Sequence, residues 1–253
     1  MEEYGFSLNS TNDLAKPVGL IKNKKNDIID LVKDEKRRIF DTNDEVVPIF
    51  YTDKEQNIRI YISGQSGCGK SYLTSQIMES YKKIYDKKNI FVFSTLEDDP
   101  AYDKNPKLKN KFVRYILNNE NAELLKEIKE EDLANSLVVF DDFLLFEPKL
   151  KKIVDALKDI LLKRGRHYGI DTIIINDKIL DGHKTKTELN QSNYVIVFPT
   201  CTNKKQLENF LDNYLGLEPN IIKTIKKLPS RWVCLAKNYP RYAIYQHGAF
   251  MLT

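Results

Sequence analysis

The sequence is poor in cysteine, and the few cysteines it has are scattered. Only Cys68, Cys201 and Cys234 occur among 253 residues, without the paired spacing of a metal site. Three cysteines are an odd number and cannot form a complete disulfide framework. Because disulfides persist mainly in oxidising compartments, this composition indicates a reducing, intracellular setting.

The sequence also lacks a long apolar run. No stretch approaches the ~18 apolar residues that a membrane-spanning helix needs. The N-terminus, MEEYGFSLNSTNDLAKPVG, has neither the basic flank nor the apolar centre of a secretion signal. We therefore expect a protein without direct membrane insertion, either soluble or associated with a membrane only through a partner.

Charge of one sign is not in large excess. Forty Lys and Arg residues against 36 Asp and Glu residues leave a formal net charge of +4. A protein that coats DNA would be far more basic, so this charge neither requires nor excludes a nucleic-acid partner. The length is enough for one substantial hydrophobic core.

Apolar runs alternate with amphipathic stretches from about residue 56 onward. This alternation predicts βα units around a mostly parallel sheet flanked by helices, which is an α/β fold. The predicted strands are 58–63, 89–94, 112–116, 137–141, 171–175 and 194–198. The predicted helices are 70–86, 120–129, 149–165, 185–191, 204–214 and 219–227. RWVCLAK and RYAIYQH predict a C-terminal β-hairpin or a pair of edge strands.

Residues 1–55 are polar and mixed in charge, unlike the alternating region that follows. A short helix is predicted within residues 22–40, KNKKNDIIDLVKDEKRRIF. We therefore expect an N-terminal arm or lid of residues 1–55, followed by one domain of residues 56–253.

A phosphate-binding loop lies between the first predicted strand and the first predicted helix of this domain. Residues 64–71 are GQSGCGKS, which satisfies the pattern G-x-x-x-x-G-K-[ST] in full. Glycines let successive backbone N–H groups surround a phosphate, and the following helix adds the positive end of its dipole. Lys70 is expected to contact the β- and γ-phosphates, and the Ser71 hydroxyl to bind Mg²⁺. The predicted ATP-binding residues are Gly64, Gln65, Ser66, Gly67, Cys68, Gly69, Lys70, Ser71 and Tyr72.

An acidic pair lies at the end of the apolar strand 137–141. The segment NSLVVFDDFLLF ends this strand in Asp141 and Asp142, where a P-loop NTPase holds Mg²⁺ through water. We expect Asp141 to lie on the metal side and Asp142 to activate the attacking water. The Asp142 side chain is one methylene shorter than the glutamate that many such ATPases have at this position. Glu147 therefore stays an alternative base.

The spacing of the two motifs favours a motor-type ATPase. About 70 residues separate Ser71 from Asp141, and they include the predicted strands 89–94 and 112–116. This insertion predicts an extra strand between the phosphate-loop strand and the acidic strand. Kinases and GTPases place these two strands side by side. The prediction is thus a P-loop NTPase of the additional-strand, RecA-like class.

Two arginines end the predicted helix 149–165. Arg164 or Arg166 is expected to reach the γ-phosphate of a neighbouring subunit and to stabilise charge in the transition state. The alternative is that both arginines only cap the helix C-terminus, where cations are favoured.

A polar residue also follows the strand 171–175. Asn176 lies at the tip of a strand beside the phosphate loop, and is a candidate for sensing the γ-phosphate by hydrogen bonding. Its neighbour Asp177 is interpreted as turn chemistry.

The segments GQSGCGKS, LVVFDD, KRGRHYGIDTIIINDK and NQSNYVIVFPT together resemble the viral genome-packaging ATPases of the FtsK–HerA superfamily, in the poxvirus-type branch of large DNA viruses and virophages. The resemblance covers about residues 55–200, and its most diagnostic part runs from RHYGI to NYVIVF. One departure is Asn176, where members commonly have glutamine.

The resemblance implies a homo-oligomeric ring, a hexamer or pentamer, that hydrolyses ATP with Mg²⁺ at subunit interfaces. Such a ring would thread double-stranded DNA into a preformed capsid and would contact capsid or portal-vertex proteins. The implied location is the cytoplasm of the infected host cell at assembly sites, with association to the virion as a further expectation.

Two other functions remain open. A nucleotide kinase would need an arginine-rich lid and an acceptor pocket, and the sequence offers no convincing lid segment. A nucleotide-binding scaffold with little turnover is compatible with the aspartate at Asp142 and the amide at Asn176.

Overall fold

The computed structural model describes residues 3–51, 57–141 and 147–252. By its contacts, the chain divides into two compact units. One unit joins residues 1–52 with residues 193–253, and the other comprises residues 53–192. The C-terminal segment thus groups with the N-terminal strands, and the role of residues 1–55 as an arm or lid stays a prediction.

The N-terminal segment is made of strands. These are β1 (Tyr4–Leu8), β2 (Lys16–Ile21), β3 (Ile28–Lys33), β4 (Ile39–Asp41) and β5 (Val46–Pro48). Four of them form an antiparallel sheet in the order β1-β3-β2-β5.

The helix predicted within residues 22–40 is wrong, because this segment contains β3 and β4. Asn26 and Asp34, on either side of β3, have φ of 53° and 62°. This left-handed conformation interrupts a right-handed helix. Between them, Ile28–Lys33 is IIDLVK, a strand in which Ile29, Leu31 and Val32 are buried.

The unit of residues 53–192 alternates strands and helices. Its elements are β6 (Arg59–Ser63), α1 (Lys70–Ile84), β7 (Asn89–Ser94), α2 (Pro100–Asp103), β8 (Val113–Ile116), α3 (Ala122–Glu127), β9 (Ser136–Asp141), α4 (Pro148–Arg164), β10 (Asp171–Asn176) and α5 (His183–Gln191). Short 3₁₀ turns lie at Glu130–Leu133 and Gly165–Tyr168. The five strands are all parallel, in the order β6-β10-β9-β7-β8.

The central strands of this unit are fully covered. All six residues of β9 and all six of β10 are buried, as expected for a parallel sheet with helices on both faces. Helix α1 buries one stripe of side chains at helical spacing, namely Leu73, Thr74, Ile77, Met78 and Tyr81. The predicted α/β fold is confirmed.

The extra strand is present, but it is a different strand from the one that the sequence indicated. Strand β10 lies between the phosphate-loop strand β6 and the acidic strand β9. The insertion strands β7 and β8 lie on the far side of β9. The prediction of an additional strand is therefore confirmed, while its origin in the insertion is wrong.

The C-terminal residues complete the first unit. They form β11 (Tyr194–Val197), α6 (Lys204–Asn209), α7 (Pro219–Lys227), β12 (Val233–Ala236), β13 (Tyr242–Tyr245) and β14 (Gly248–Met251). Helix α6 continues as a π-helical turn at Phe210–Tyr214. The strands are antiparallel in the order β11-β12-β13-β14-β4, so the predicted C-terminal hairpin is confirmed and extended. Within the described ranges, no helix is long and apolar enough to cross a membrane.

Candidate nucleotide-binding site

The phosphate loop connects β6 to α1 with the backbone shape that its glycines allow. Gly67 and Gly69 have φ of 78° and 104°, in the left-handed region that L side chains rarely adopt. A Cβ at Gly67 would meet no atom within 4 Å. The backbone conformation, and not lack of space, therefore requires glycine at this position.

The ammonium of Lys70 is held at the mouth of the loop. Its Nζ donates to the carbonyl oxygens of Gly64 at 2.6 Å and Gln65 at 3.2 Å. It also forms an ion pair with Asp177 Oδ1 at 2.8 Å. These three acceptors match the three N–H donors of the ammonium. A phosphate oxygen that binds Lys70 must replace at least one of them.

Asp177 is a site residue that the sequence interpretation missed. The local sequence predicts only a turn role for Asp177, whereas its half-exposed carboxylate pairs with the loop lysine. Its position directly after Asn176 was a usable signal, because the carboxyl ends of neighbouring parallel strands meet at one edge of a sheet.

Ser71 and Asp141 are brought together by the parallel packing of the sheet. Ser71 Oγ donates to Asp141 Oδ2 at 3.2 Å, although 70 residues separate them in sequence. The buried Tyr102, on α2, donates its hydroxyl to the same carboxylate oxygen. Burial, and then the charge of Asp141, raise the pKa of Tyr102 well above its usual value. The phenol therefore stays a hydrogen-bond donor.

The pair of Ser71 and Asp141 fits a Mg²⁺ ion. Both offer oxygen atoms, the ligand type that Mg²⁺ prefers, and Mg²⁺ usually takes one or two protein ligands with phosphate and water. No group of three or more His, Cys, Asp or Glu side chains that could hold a metal occurs in the described part of the chain. Nucleotide phosphates and water would have to complete the coordination.

Asn176 is buried at the tip of β10, beside the phosphate loop. Its backbone carbonyl accepts a hydrogen bond from Gly64 N at 3.2 Å. Its side-chain Nδ2 donates to Glu188 Oε2 at 2.8 Å, and Glu188 Oε1 pairs with Lys158 Nζ at 2.6 Å. Glu188 and Lys158 belong to none of the sequence motifs described above.

The water-activating residue stays a prediction. Asp142 lies outside the described residues. Glu147 is exposed and directly precedes the first residue of α4.

The two candidate arginines lie at the amino ends of the parallel strands, whereas the phosphate loop lies at their carboxyl ends. Both precede β10, whose six residues span ~20 Å at ~3.3 Å each before Asn176 is reached. Arg164 pairs with Glu130 at 3.1 Å at the C-terminus of α4. Arg166 is exposed and forms no ion pair with any residue that the structure describes. Neither arginine can serve the phosphate loop of its own chain.

The parallel sheet, the strand between β6 and β9, and the glycine loop together define a P-loop NTPase fold of the additional-strand class. B204, the DNA-packaging ATPase from Sulfolobus turreted icosahedral virus, is 16% identical with a TM-score of 0.51, covering 78% of this chain and 98% of its own. The pCW3 conjugation coupling protein TcpA is 14% identical with a TM-score of 0.53, over 94% of this chain and 78% of its own. The cytoplasmic domain of EssC is 16% identical with a TM-score of 0.54, over 94% of this chain and 45% of its own.

Because these identities are low, the likeness to the solved structures shows the fold alone. A closer relation is found in sequence. Protein V3 of Sputnik virophage, named as an uncharacterized protein, is 31% identical over 198 residues, which cover 75% of each chain. The chain belongs to the family of this virophage protein, which agrees with the resemblance to viral packaging ATPases. No protein-family model matches the chain.

Proposed function

We propose that this protein is an ATP-hydrolysing motor that translocates double-stranded DNA and packages a viral genome into a preformed capsid. The observation that carries the ATPase part is the convergence of Lys70, Ser71 and Asp141 at the carboxyl edge of one parallel sheet. A lysine, a hydroxyl and a buried carboxylate are the groups that P-loop NTPases use to hold a nucleoside triphosphate and its metal.

Each residue of the site has a separate task in this proposal. The backbone N–H groups of residues 64–71 surround the β-phosphate, and Lys70 moves from Asp177 to the β- and γ-phosphate oxygens. Ser71 and Asp141 hold Mg²⁺, which when bound neutralises charge on the phosphates. Asp142, or Glu147 in its place, takes the proton of the attacking water.

A neighbouring subunit completes the site in this proposal. Arg166 is better suited than Arg164 to reach across an interface, because Arg164 already pairs with Glu130 at the end of α4. An arginine that enters the site only in the assembled ring makes hydrolysis depend on oligomerisation. We therefore propose a homo-oligomeric ring, either a hexamer or a pentamer.

Family and fold support the DNA-packaging part. The relative in sequence is a virophage protein, and B204, which shares the fold, is a DNA-packaging ATPase. Capsid or portal-vertex proteins are the proposed further partners. The proposed location is the infected cell at sites of virion assembly, with the virion as a second place to find the protein.

The test measures phosphate release from ATP with and without double-stranded DNA. We expect DNA to stimulate release, and Lys70→Ala to reduce kcat by on the order of 10²-fold or more. Lys83→Ala is the matched control, because Lys83 is exposed on the same helix far from the loop. Equal activity of the two variants would overturn the proposal.

The same assay separates the two alternatives. Transfer of the γ-phosphate to a nucleotide acceptor, without any response to DNA, would identify a kinase. Tight ATP binding without turnover would identify a nucleotide-binding scaffold.

A further inference from the structure

A buried polar chain links two helices to the tip of β10. Glu188 on α5 uses its two carboxylate oxygens separately: Oε1 pairs with Lys158 Nζ on α4 at 2.6 Å, and Oε2 accepts from Asn176 Nδ2 at 2.8 Å. The exposed fractions of Glu188, Lys158 and Asn176 are only 5%, 4% and 6%. Three polar side chains are therefore buried together next to the candidate nucleotide site.

The carboxylate determines which way the Asn176 amide faces. An ionised carboxylate only accepts hydrogen bonds, so Asn176 must present its NH₂ group to Glu188. Rotating the amide by half a turn would set its carbonyl oxygen against a negative oxygen. Lys158 supports this arrangement, because it balances the buried charge of Glu188.

The other end of the Asn176 amide is its carbonyl oxygen, on the opposite side of the amide from the NH₂ group that donates to Glu188. The carbonyl oxygen Oδ1 makes no hydrogen bond to any residue within the described ranges.

We propose that Glu188 is a positioning residue for ATP hydrolysis, fixing Asn176 so that its carbonyl oxygen accepts a hydrogen bond from the attacking water. This inference depends on the ATPase function proposed above. Ionised phosphate oxygens are acceptors, so an acceptor on Asn176 cannot bind the γ-phosphate directly. Asn176 then orients water, and it does not sense the phosphate through its amide nitrogen.

The substitution that tests this is Glu188→Gln, which keeps the size of the side chain. In the variant, the glutamine carbonyl oxygen accepts from Lys158 and its NH₂ group faces Asn176. Two NH₂ groups repel, so the Asn176 amide must turn and direct its nitrogen toward the site. We expect kcat to fall at least about tenfold, with KM for ATP changed less than about twofold, because only water orientation is lost.

Asp155→Asn is the matched control. Asp155 also pairs with Lys158, at 3.0 Å, and its side chain is half-exposed. Its replacement perturbs the same lysine without touching the bond from Asn176 to Glu188. We expect kcat within about twofold of wild type for this variant. If Asp155→Asn and Glu188→Gln lower kcat equally, or if both only lower the thermal midpoint, the positioning role is wrong.

A second readout does not depend on activity. In the ¹⁵N NMR spectrum, the side-chain NH₂ of Asn176, assigned by its loss in Asn176→Ala, should exchange slowly with solvent in wild type. The protection should disappear in Glu188→Gln. An unprotected NH₂ in wild type would overturn the inference even if the protein is an active ATPase. A protected NH₂ in a wild type that hydrolyses no ATP would instead overturn the proposed function, and with it the catalytic task of Glu188.

Discussion

Replacing Asp171 by asparagine should make the protein relatively more stable as the pH rises. Asp171 begins β10 and is only 3% exposed. Its Oδ1 accepts a hydrogen bond from Ile58 N at 2.6 Å. Burial raises the pKa of this carboxyl from 3.8 to about 6, and the hydrogen bond from Ile58 and the charge of Lys88 only partly oppose the rise.

The sign of the effect follows from the direction of this pKa. Because the pKa is higher in the folded state, the folded protein binds the proton more tightly than the unfolded chain does. The stabilising contribution of the acid form is complete below pH 3.8 and is lost as the pH rises through about 6. The loss in free energy of unfolding is about 1.5 kcal/mol by pH 5 and reaches about 3 kcal/mol by pH 8.

Asparagine keeps the acceptor for Ile58 and cannot ionise. The free energy of unfolding of Asp171→Asn, relative to wild type, should therefore increase by about 1.5 kcal/mol between pH 5 and pH 8. Urea denaturation at both pH values measures this difference, and it corresponds to roughly 3–6 °C in Tm. Asp86→Asn, in the exposed turn after α1, should show the same difference from wild type at both pH values. A difference for Asp171→Asn that does not grow with pH would refute the reasoning.

Three substitutions near the nucleotide site carry further predictions. Asp177→Asn removes the carboxylate that pairs with Lys70. ATP should therefore bind about threefold more tightly in a fluorescent-nucleotide titration. Unchanged or weaker binding would show that Asp177 does not compete with the phosphates for Lys70. Tyr102→Phe removes the hydroxyl that holds Asp141, so half-maximal nucleotide binding should need roughly tenfold more Mg²⁺; an equal requirement would show that Tyr102 has no such task. Arg166→Ala protein mixed with wild type should lower ATPase activity more than in proportion to its share, whereas a simple average would rule out a contribution across subunits.

Much of the candidate site could be predicted from local sequence. The loop at residues 64–71 needs left-handed glycines and a following helix, and both requirements lie within a few neighbouring residues. Asp141 could be found because an apolar run of strand length ends in an acidic pair. Most predicted strands and helices agree with the structure within two residues at each end.

The rest of the site depends on contacts between distant parts of the chain. Tyr102 reaches Asp141 across 39 residues, and Lys158 reaches Glu188 across 30. No periodicity in either segment indicates these partners. The N-terminal helix prediction failed because Ile29, Leu31 and Val32 are buried in a strand, while Asn26 and Asp34 on either side of it adopt a left-handed conformation.

The sequence by itself determined that this protein has a phosphate loop in an α/β unit with an acidic strand, because glycine geometry and apolar periodicity are properties of short segments. Only the tertiary structure decided that β10 separates β6 from β9, since strand order depends on how crossovers pack and not on local pattern. It also decided that Lys70 pairs with Asp177 and that Asn176 donates a hydrogen bond to Glu188. These contacts arise because parallel strands bring the ends of distant segments to one edge of a sheet, where polar groups must find partners.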